Sequence, residues 1–209
     1  AGAGWDGTDF RAIVSNGCGP NDTSMVVTLT VHNRPLIADQ PDPAVTCEGV
    51  EALFGIDAGI TSFPAYTWEY NDGSGTWNPV VGAQYSGTGS DTLRVLNPVS
   101  SMNGYLYRVI LSGTCAPADT SIEVMLTVNE NAEVTIQPED ALICEGQDTL
   151  FYASAGVTTS ASYQWQVDDG SGGGFVNLID DANHVSEDSI LHINSALYGM
   201  DDHRYRLEV

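Results

Sequence analysis

Lysine is missing from these 209 residues, and the six basic side chains are all arginines: Arg11, Arg34, Arg94, Arg108, Arg204 and Arg206. Against 28 acidic residues they leave a formal net charge of −22. So few cations give no footprint for a phosphate backbone or for anionic lipid, which excludes nucleic acid as a partner class. The missing lysine also excludes a Lys–Asn isopeptide crosslink. No apolar run is long enough for a membrane-spanning helix, so no membrane insertion is expected. No stretch has a convincing helical period. There is no CxxC and no Cys/His cluster to hold zinc. No charged-then-apolar leader opens the chain, which starts inside a repeat, so any export signal is expected elsewhere. The four histidines, His32, His184, His192 and His203, share no repeat position. No nucleophile–base pair can be argued from spacing, so catalytic residues are expected to be none and the chain is not expected to be an enzyme.

What is there is a period. A shift of 97 carries Cys18 onto Cys115, Phe10 onto Tyr107 and Arg11 onto Arg108. The same shift of 97 carries Cys47-Glu48-Gly49 onto Cys144-Glu145-Gly146, Phe54 onto Phe151 and Trp68 onto Trp165. One extra residue enters near Gly173, so Trp77 meets Phe175 and Tyr107 meets Tyr205 at a shift of 98. A fixed period decides architecture before any single residue does. Three units follow: 1–32 as the end of one repeat, 33–129 as a complete repeat, and 130–209 as a repeat lacking its last strands.

Within each unit the local pattern is that of strands. In Ser24–Val31 the residues Met25, Val27, Leu29 and Val31 alternate with Val26, Thr28 and Thr30, a period of two. Pro41 and Pro43 lead into a short edge strand ending at Cys47. Glu51–Ala58, Tyr66–Tyr70, Asp91–Leu96, Gly104–Leu111 and Ser121–Val128 follow as strands. Asn71-Asp72-Gly73-Ser74-Gly75 and Asp168-Asp169-Gly170-Ser171-Gly172 read as tight hairpins, because Asn/Asp-Gly accepts positive φ. Short strands at this spacing around a central tryptophan predict an all-β sandwich. Its core residues are expected to be Phe54, Trp68 and Tyr107 in one unit and Phe151, Trp165 and Tyr205 in the next. Trp5 and Trp77 are less tied to the pattern and are candidates for exposed contact.

The Cys-Glu-Gly turns, Tyr66-Thr67-Trp68, Asp72-Gly73-Ser74-Gly75, Gly104-Tyr105-Leu106-Tyr107-Arg108 and Ser112-Gly113-Thr114-Cys115 carry a resemblance. The chain resembles the Ig-like repeats of giant surface and secreted proteins of Bacteroidetes-type bacteria. Asp201-Asp202-His203-Arg204 departs from that pattern where Asn103-Gly104-Tyr105-Leu106 stands. The resemblance implies tandem immunoglobulin-like β-sandwich repeats, export by the type IX route, and display as an extracellular, cell-surface adhesin or fibre. It also makes Thr92, Thr149 and Ser189 candidate O-glycan acceptors, each following an aspartate and preceding an apolar residue. Asn21-Asp22-Thr23 fits the N-glycan sequon.

Cys18, Cys47, Cys115 and Cys144 occupy two repeat positions twice each, which suggests structural disulfides and an oxidising compartment. In an Ig-like sandwich Cys47 and Cys115 fall before one strand and after another that runs the same way, at opposite ends and beyond the ~7 Å Cα limit of a bridge. Two pairings stay open: a staple between successive repeats, or an intradomain bond with a different strand arrangement. The acidity reads as a solubilising surface, or as calcium held by Asp72, Asp168 and Asp169, though these loops lack the alternating ligand spacing of a calcium loop. No other cofactor or metal is expected. The expected partners are neighbouring Ig-like repeats of the same or an identical chain, and surface polysaccharide. The function expected is a stalk or fibre segment. Its rivals are a carbohydrate- or surface-binding adhesin module and a filament subunit completed by strand exchange.

Overall fold

The computed structural model describes residues 3–209, and the chain divides into two compact units, one ending at Val128 and the other spanning Asn129–Val209. Among the described residues the only helical pieces are single 3-10 turns, at Ala3–Trp5, Ser100–Met102 and Tyr198–Met200.

The first unit opens with a hairpin. Its strands are β1 (Thr8–Phe10), β2 (Ile13–Val14), β3 (Asp22–Thr23) and β4 (Val27–Leu29), with β1 on β4 and β2 on β3. The sequence pattern predicts an unbroken strand over Ser24–Val31, and the structure breaks it, with β3 ending at Thr23 and β4 starting at Val27. Ser24 is the cause: its N–H donates to the Ala12 carbonyl at 2.9 Å while its Oγ accepts the Ala12 N–H at 2.9 Å. Ser121, one period later, holds Val109 in the same way at 3.0 Å in both directions.

The rest of the first unit is a complete sandwich built from β5 (Ala44–Cys47), β6 (Ala52–Gly55), β7 (Ala65–Asn71), β8 (Asn78–Pro79), β9 (Tyr85–Ser86), β10 (Thr92–Val95), β11 (Leu106–Ser112), β12 (Asp119–Thr120) and β13 (Val124–Asn129). One sheet runs β6-β10-β9; the other runs β5-β13-β11-β7-β8, with β12 also on β11. Strand β6 stops at Gly55, short of the predicted Ala58, because Asp57 leaves the sheet to bridge Asp39. Alternation places Phe54, Trp68, Leu93, Val95, Tyr107, Val109, Val124 and Leu126 inside, each all but inaccessible. Burying side chains of this size contributes roughly 1.5–3 kcal/mol apiece.

The second unit repeats the plan with β14 (Val134–Ile136), β15 (Thr149–Tyr152), β16 (Ser154–Ala155), β17 (Gln164–Asp168), β18 (Val176–Asn177), β19 (His184–Glu187), β20 (Ile190–Ile193) and β21 (Arg204–Glu208). Its ladders are β15-β20-β19, β18-β17-β21 and β14-β16. Trp165 is as buried as Trp68, and its Nε1 donates to the Asp188 carbonyl at 3.1 Å as that of Trp68 donates to Ser90 at 2.9 Å. Phe151 and Tyr205 are half-buried against this core, whereas Phe54 and Tyr107 are fully enclosed.

Candidate functional site

The cysteines mark the poles of the complete sandwich. Cys47 ends β5 beside the 98–104 loop, where Gly49 N–H donates to Pro98 O at 2.8 Å and Ser100 N–H to Glu48 Oε1 at 3.1 Å. Cys115 lies past the far end of β11, with its Sγ 3.5 Å from the His32 carbonyl. The seven residues of β11 separate the two ends, about 3.3 Å per residue. Cys47 and Cys115 thus lie at opposite ends of the complete sandwich, and among the described residues no disulfide joins Cys18, Cys47, Cys115 or Cys144.

On the outer face of the sheet that carries each core tryptophan an arginine lies over an aromatic ring. Arg108 sits 4.1 Å above the Trp77 ring and pairs with Glu69, Nη2 to Oε2 at 2.7 Å. Arg206 sits 4.2 Å above Phe175 and donates from Nε to Gln166 Oε1 at 2.7 Å; Gln166 in turn donates to Glu208 at 2.7 Å and to Asn177 at 2.9 Å. Trp77 is thus half-covered by an arginine rather than presented flat to solvent. Trp5 is exposed and stacked on Phe10 at 6.2 Å.

The acidic hairpins use their oxygens on their own turns. Asn71 and Asp168 each accept the N–H two residues on, at 2.9 and 3.0 Å, and Asp72 and Asp169 accept from Ser74 and Ser171 at 3.1 and 2.9 Å. Those hydrogen bonds, led by the serine hydroxyls, hold the Asp72 and Asp169 carboxyls below the usual carboxylate range. Asp168 also pairs with Arg204. Among the described residues no three acidic, histidine or cysteine side chains converge as a metal site. The candidate glycan acceptors are half-buried at strand ends: Thr92 opens β10, Thr149 opens β15, and Ser189 precedes β20.

One difference between the units is invisible to a constant period. Tyr85 opposes Val95, and its hydroxyl lies 3.4 Å from that of Tyr107. Burial raises the pKa of both phenols. In the second unit His184 opposes Ile193 and takes the place of Tyr85; its Nε2 is 3.2 Å from the Tyr205 hydroxyl and its Nδ1 is 3.0 Å from Asp181. Tyr105 is likewise replaced by His203, whose ring is 6.4 Å from Tyr205. The offset at His184 is 99, one more than at Tyr205, so only strand register reveals the exchange.

A cavity of about 1060 Å³ lies in the second unit. Residues 139–145 form one wall, and Phe151, Ile193, Met200, His203 and Tyr205 line the other side. Arg204 and Tyr205 of β21 also line it, and β21 has β17 as its one ladder partner among the described residues.

No family model matches the chain. A stretch of 134 residues, 63% of the chain, is 31% identical to part of Endoglucanase C of Cellulomonas fimi; it spans 11% of that protein. Among solved structures, the I67–I69 fragment of the I-band of titin superposes with a TM-score of 0.58 at 13% identity, over 85% of this chain and 65% of the fragment. The N-terminal eight Ig domains of Down Syndrome Cell Adhesion Molecule give 0.58 at 15% identity, over 97% of this chain and 28% of theirs. Extracellular domains 3–5 of Drosophila OTK give 0.51 at 14% identity, over 96% of this chain and 68% of theirs. The match thus spans less than two thirds of the titin fragment and of the Down Syndrome Cell Adhesion Molecule fragment, and about a tenth of the endoglucanase. At these identities the likeness establishes the fold: tandem Ig-like β-sandwiches.

Proposed function

We propose that this chain is a structural and adhesive segment of an extracellular protein, a stalk or fibre of Ig-like domains. The observation that carries it is what recurs between the units. Trp68 and Trp165 recur in cores, the Asp-Gly-Ser-Gly hairpins recur as self-capped turns, and the cysteines recur at poles. The polar sets that differ, such as His184 for Tyr85, are those a repeated active site would have to keep. Each unit has its own core and adds length by itself, as repeat arrays do. The motif resemblance supports display on a bacterial surface through the type IX route, and pole cysteines support staples between successive repeats.

Stretching single molecules tests the mechanical part. Expected are two separate unfolding events, each releasing about 3.4 Å per freed residue; a chain that extends without force peaks overturns the stalk. Surface proteolysis of intact source cells tests display, and protection from an added protease overturns it.

A second function has one observation in its favour. The partial identity to an endoglucanase supports polysaccharide as the surface gripped. Affinity electrophoresis in soluble β-glucan gels would show retardation, lost in Trp77→Ala or Trp5→Ala chains; mobility unchanged by any glucan overturns this alternative.

A further inference from the structure

Strands β15, β20 and β19 of the second unit form one ladder, and alternation sends every second residue to its outer face. Leu191 and Ile193 are buried, so the outward rows are Leu150, His192 and Val185, then Tyr152, Ile190 and Glu187. The matching ladder of the complete sandwich, β6-β10-β9, puts Leu53, Arg94 and Ser86 in the first row and Gly55 and Thr92 in the second. Only the leucine is kept. Arginine gives way to histidine, serine to valine, glycine to tyrosine and threonine to isoleucine, all on one face. Leu53 is 50% exposed and Leu150 is 53% exposed, with Tyr152 beside it at 43%, so this face lies open in both units. In the first unit Arg94 is held by Glu51. In the second, among the described residues, no hydrogen bond, ion pair or ring contact engages the side chains of Tyr152, His192 or Glu187.

Size and charge decide what such a face can hold. Each strand of the ladder has four residues. At about 3.3 Å per residue and about 4.8 Å between strands, the face covers under about 200 Å². A stable protein–protein interface takes about 800 Å² from each partner, several times more. A net charge of −22 repels polyanions. The ligand that remains is small and uncharged, with an apolar surface for Leu150, Val185 and Ile190 and polar groups for the three unengaged side chains.

We propose that this face binds a neutral oligosaccharide. Tyr152 packs its ring on the C–H face of a sugar, as an aromatic with a polar tip can. The His192 imidazole donates from one ring nitrogen and accepts at the other, and the Glu187 carboxylate accepts from sugar hydroxyls. The first unit lacks this equipment, since Gly55 has no ring and Arg94 is already paired. The inference rests on the polysaccharide reading above and adds to it a site in the second unit.

Native electrophoresis of the 209-residue chain through hydroxyethyl cellulose, with carboxymethyl cellulose as the charged counterpart, tests it. Expected is retardation by the neutral polymer alone, lost in Tyr152→Ala and in His192→Ala with tryptophan fluorescence unchanged. A chain with Tyr152→Gly, Val185→Ser, Ile190→Thr and His192→Arg carries the first unit's own residues on this ladder and should also run free. Titrating cellotetraose into the unmodified chain should shift the ring resonances of His192 before those of the other three histidines. Retardation that survives the fourfold change, or a His192 signal that stays still, overturns this site and leaves the polysaccharide reading standing. Equal retardation by the charged polymer overturns the assignment to a neutral glycan. No retardation of the unmodified chain overturns site and reading together.

Discussion

Trp68 and Trp165 stand at the same place in two sandwiches and are equally buried, but what surrounds them differs in a way that separates nucleus from periphery. Around Trp68 the enclosure is complete: Phe54 stacks on Tyr107 at 4.8 Å, and a group of tyrosines, Tyr70, Tyr85 and Tyr105, closes one end. Around Trp165 the centre persists in Ala153, Leu191 and Leu207, while Phe151 and Tyr205 lose cover and histidines replace two tyrosines. The tryptophan, its indole hydrogen bond and the two ladders beside it are common to both units. The strand β13 supplies the lid on the aromatic end and the partner that turns residues like 44–47 into β5.

The strongest way to sharpen that comparison is to remove each tryptophan. Trp68→Ala should destabilise its sandwich by about 3–5 kcal/mol, and Trp165→Ala should fall at or below the lower end, because its neighbours collapse more freely. Hydrogen exchange read peptide by peptide would keep the two units apart, as a single melting curve would not. Equal losses would break the comparison.

Next comes the serine bridge. Ser121→Ala leaves the buried Val109 N–H without its acceptor and should cost roughly 1–3 kcal/mol. Ser24→Ala removes the same bond from an exposed hairpin, where water replaces it, and should change stability by no more than about 0.5 kcal/mol. Denaturant titration of the two variants distinguishes them.

Smaller still is the arginine stack. Arg108→Ala removes a cation–π contact of about 0.5–1 kcal/mol and an ion pair worth at most about 1 kcal/mol. Arg206→Ala removes a stack on phenylalanine and a bond to a neutral amide. Added salt should therefore narrow the Arg108 effect and leave that of Arg206 in place.

The least effect is expected from pH, where groups titrate one by one, and the more sensitive unit should differ between acid and alkali. Asp169, Asp180 and Asp181 in the second unit are held below their usual value of 3.8 by hydrogen bonds, against Asp72 in the first. A depressed carboxyl adds stability above its unfolded pKa and loses it as pH falls through the folded one, so acid below about pH 4 should loosen the second unit more. Tyr66, Tyr85 and Tyr107 in the first unit are raised above 10.0, chiefly by burial, against Tyr205 in the second. A raised phenol keeps its full contribution below the unfolded value and loses it as pH climbs toward the folded one. Alkali above pH 10 should loosen the first unit more. Near-ultraviolet spectra and local exchange at both extremes check the reversal.

Much of this was legible in the residues. The strand before an Asp-Gly hairpin located Trp68 and Trp165, and the shared direction of two strands put Cys47 and Cys115 at opposite poles. Ser121 was within reach too, since Ser24 repeats it one period away. The Arg108–Trp77 stack was not, because 31 positions separate its members and only strand pairing brings them together. The exchange of Tyr85 for His184 hid behind a one-residue slip in spacing. Residues 141–144 copy the spacing of β5 and form no strand, so spacing alone does not decide local structure.

The parallel course of β5 and β13 has a mechanical consequence. Both run toward the 98–104 loop, β5 ending at Cys47 and β13 with Val128 N–H bonded to Asn103 Oδ1 at 3.0 Å, and they are neighbours in one sheet. Tension applied before β5 and after β13 drags the two strands past each other lengthwise. Every rung between them is loaded at once, as in a lap joint, instead of opening one after another like a zipper. Resistance to rupture would then be set by that short seam, whatever the size of the core behind it.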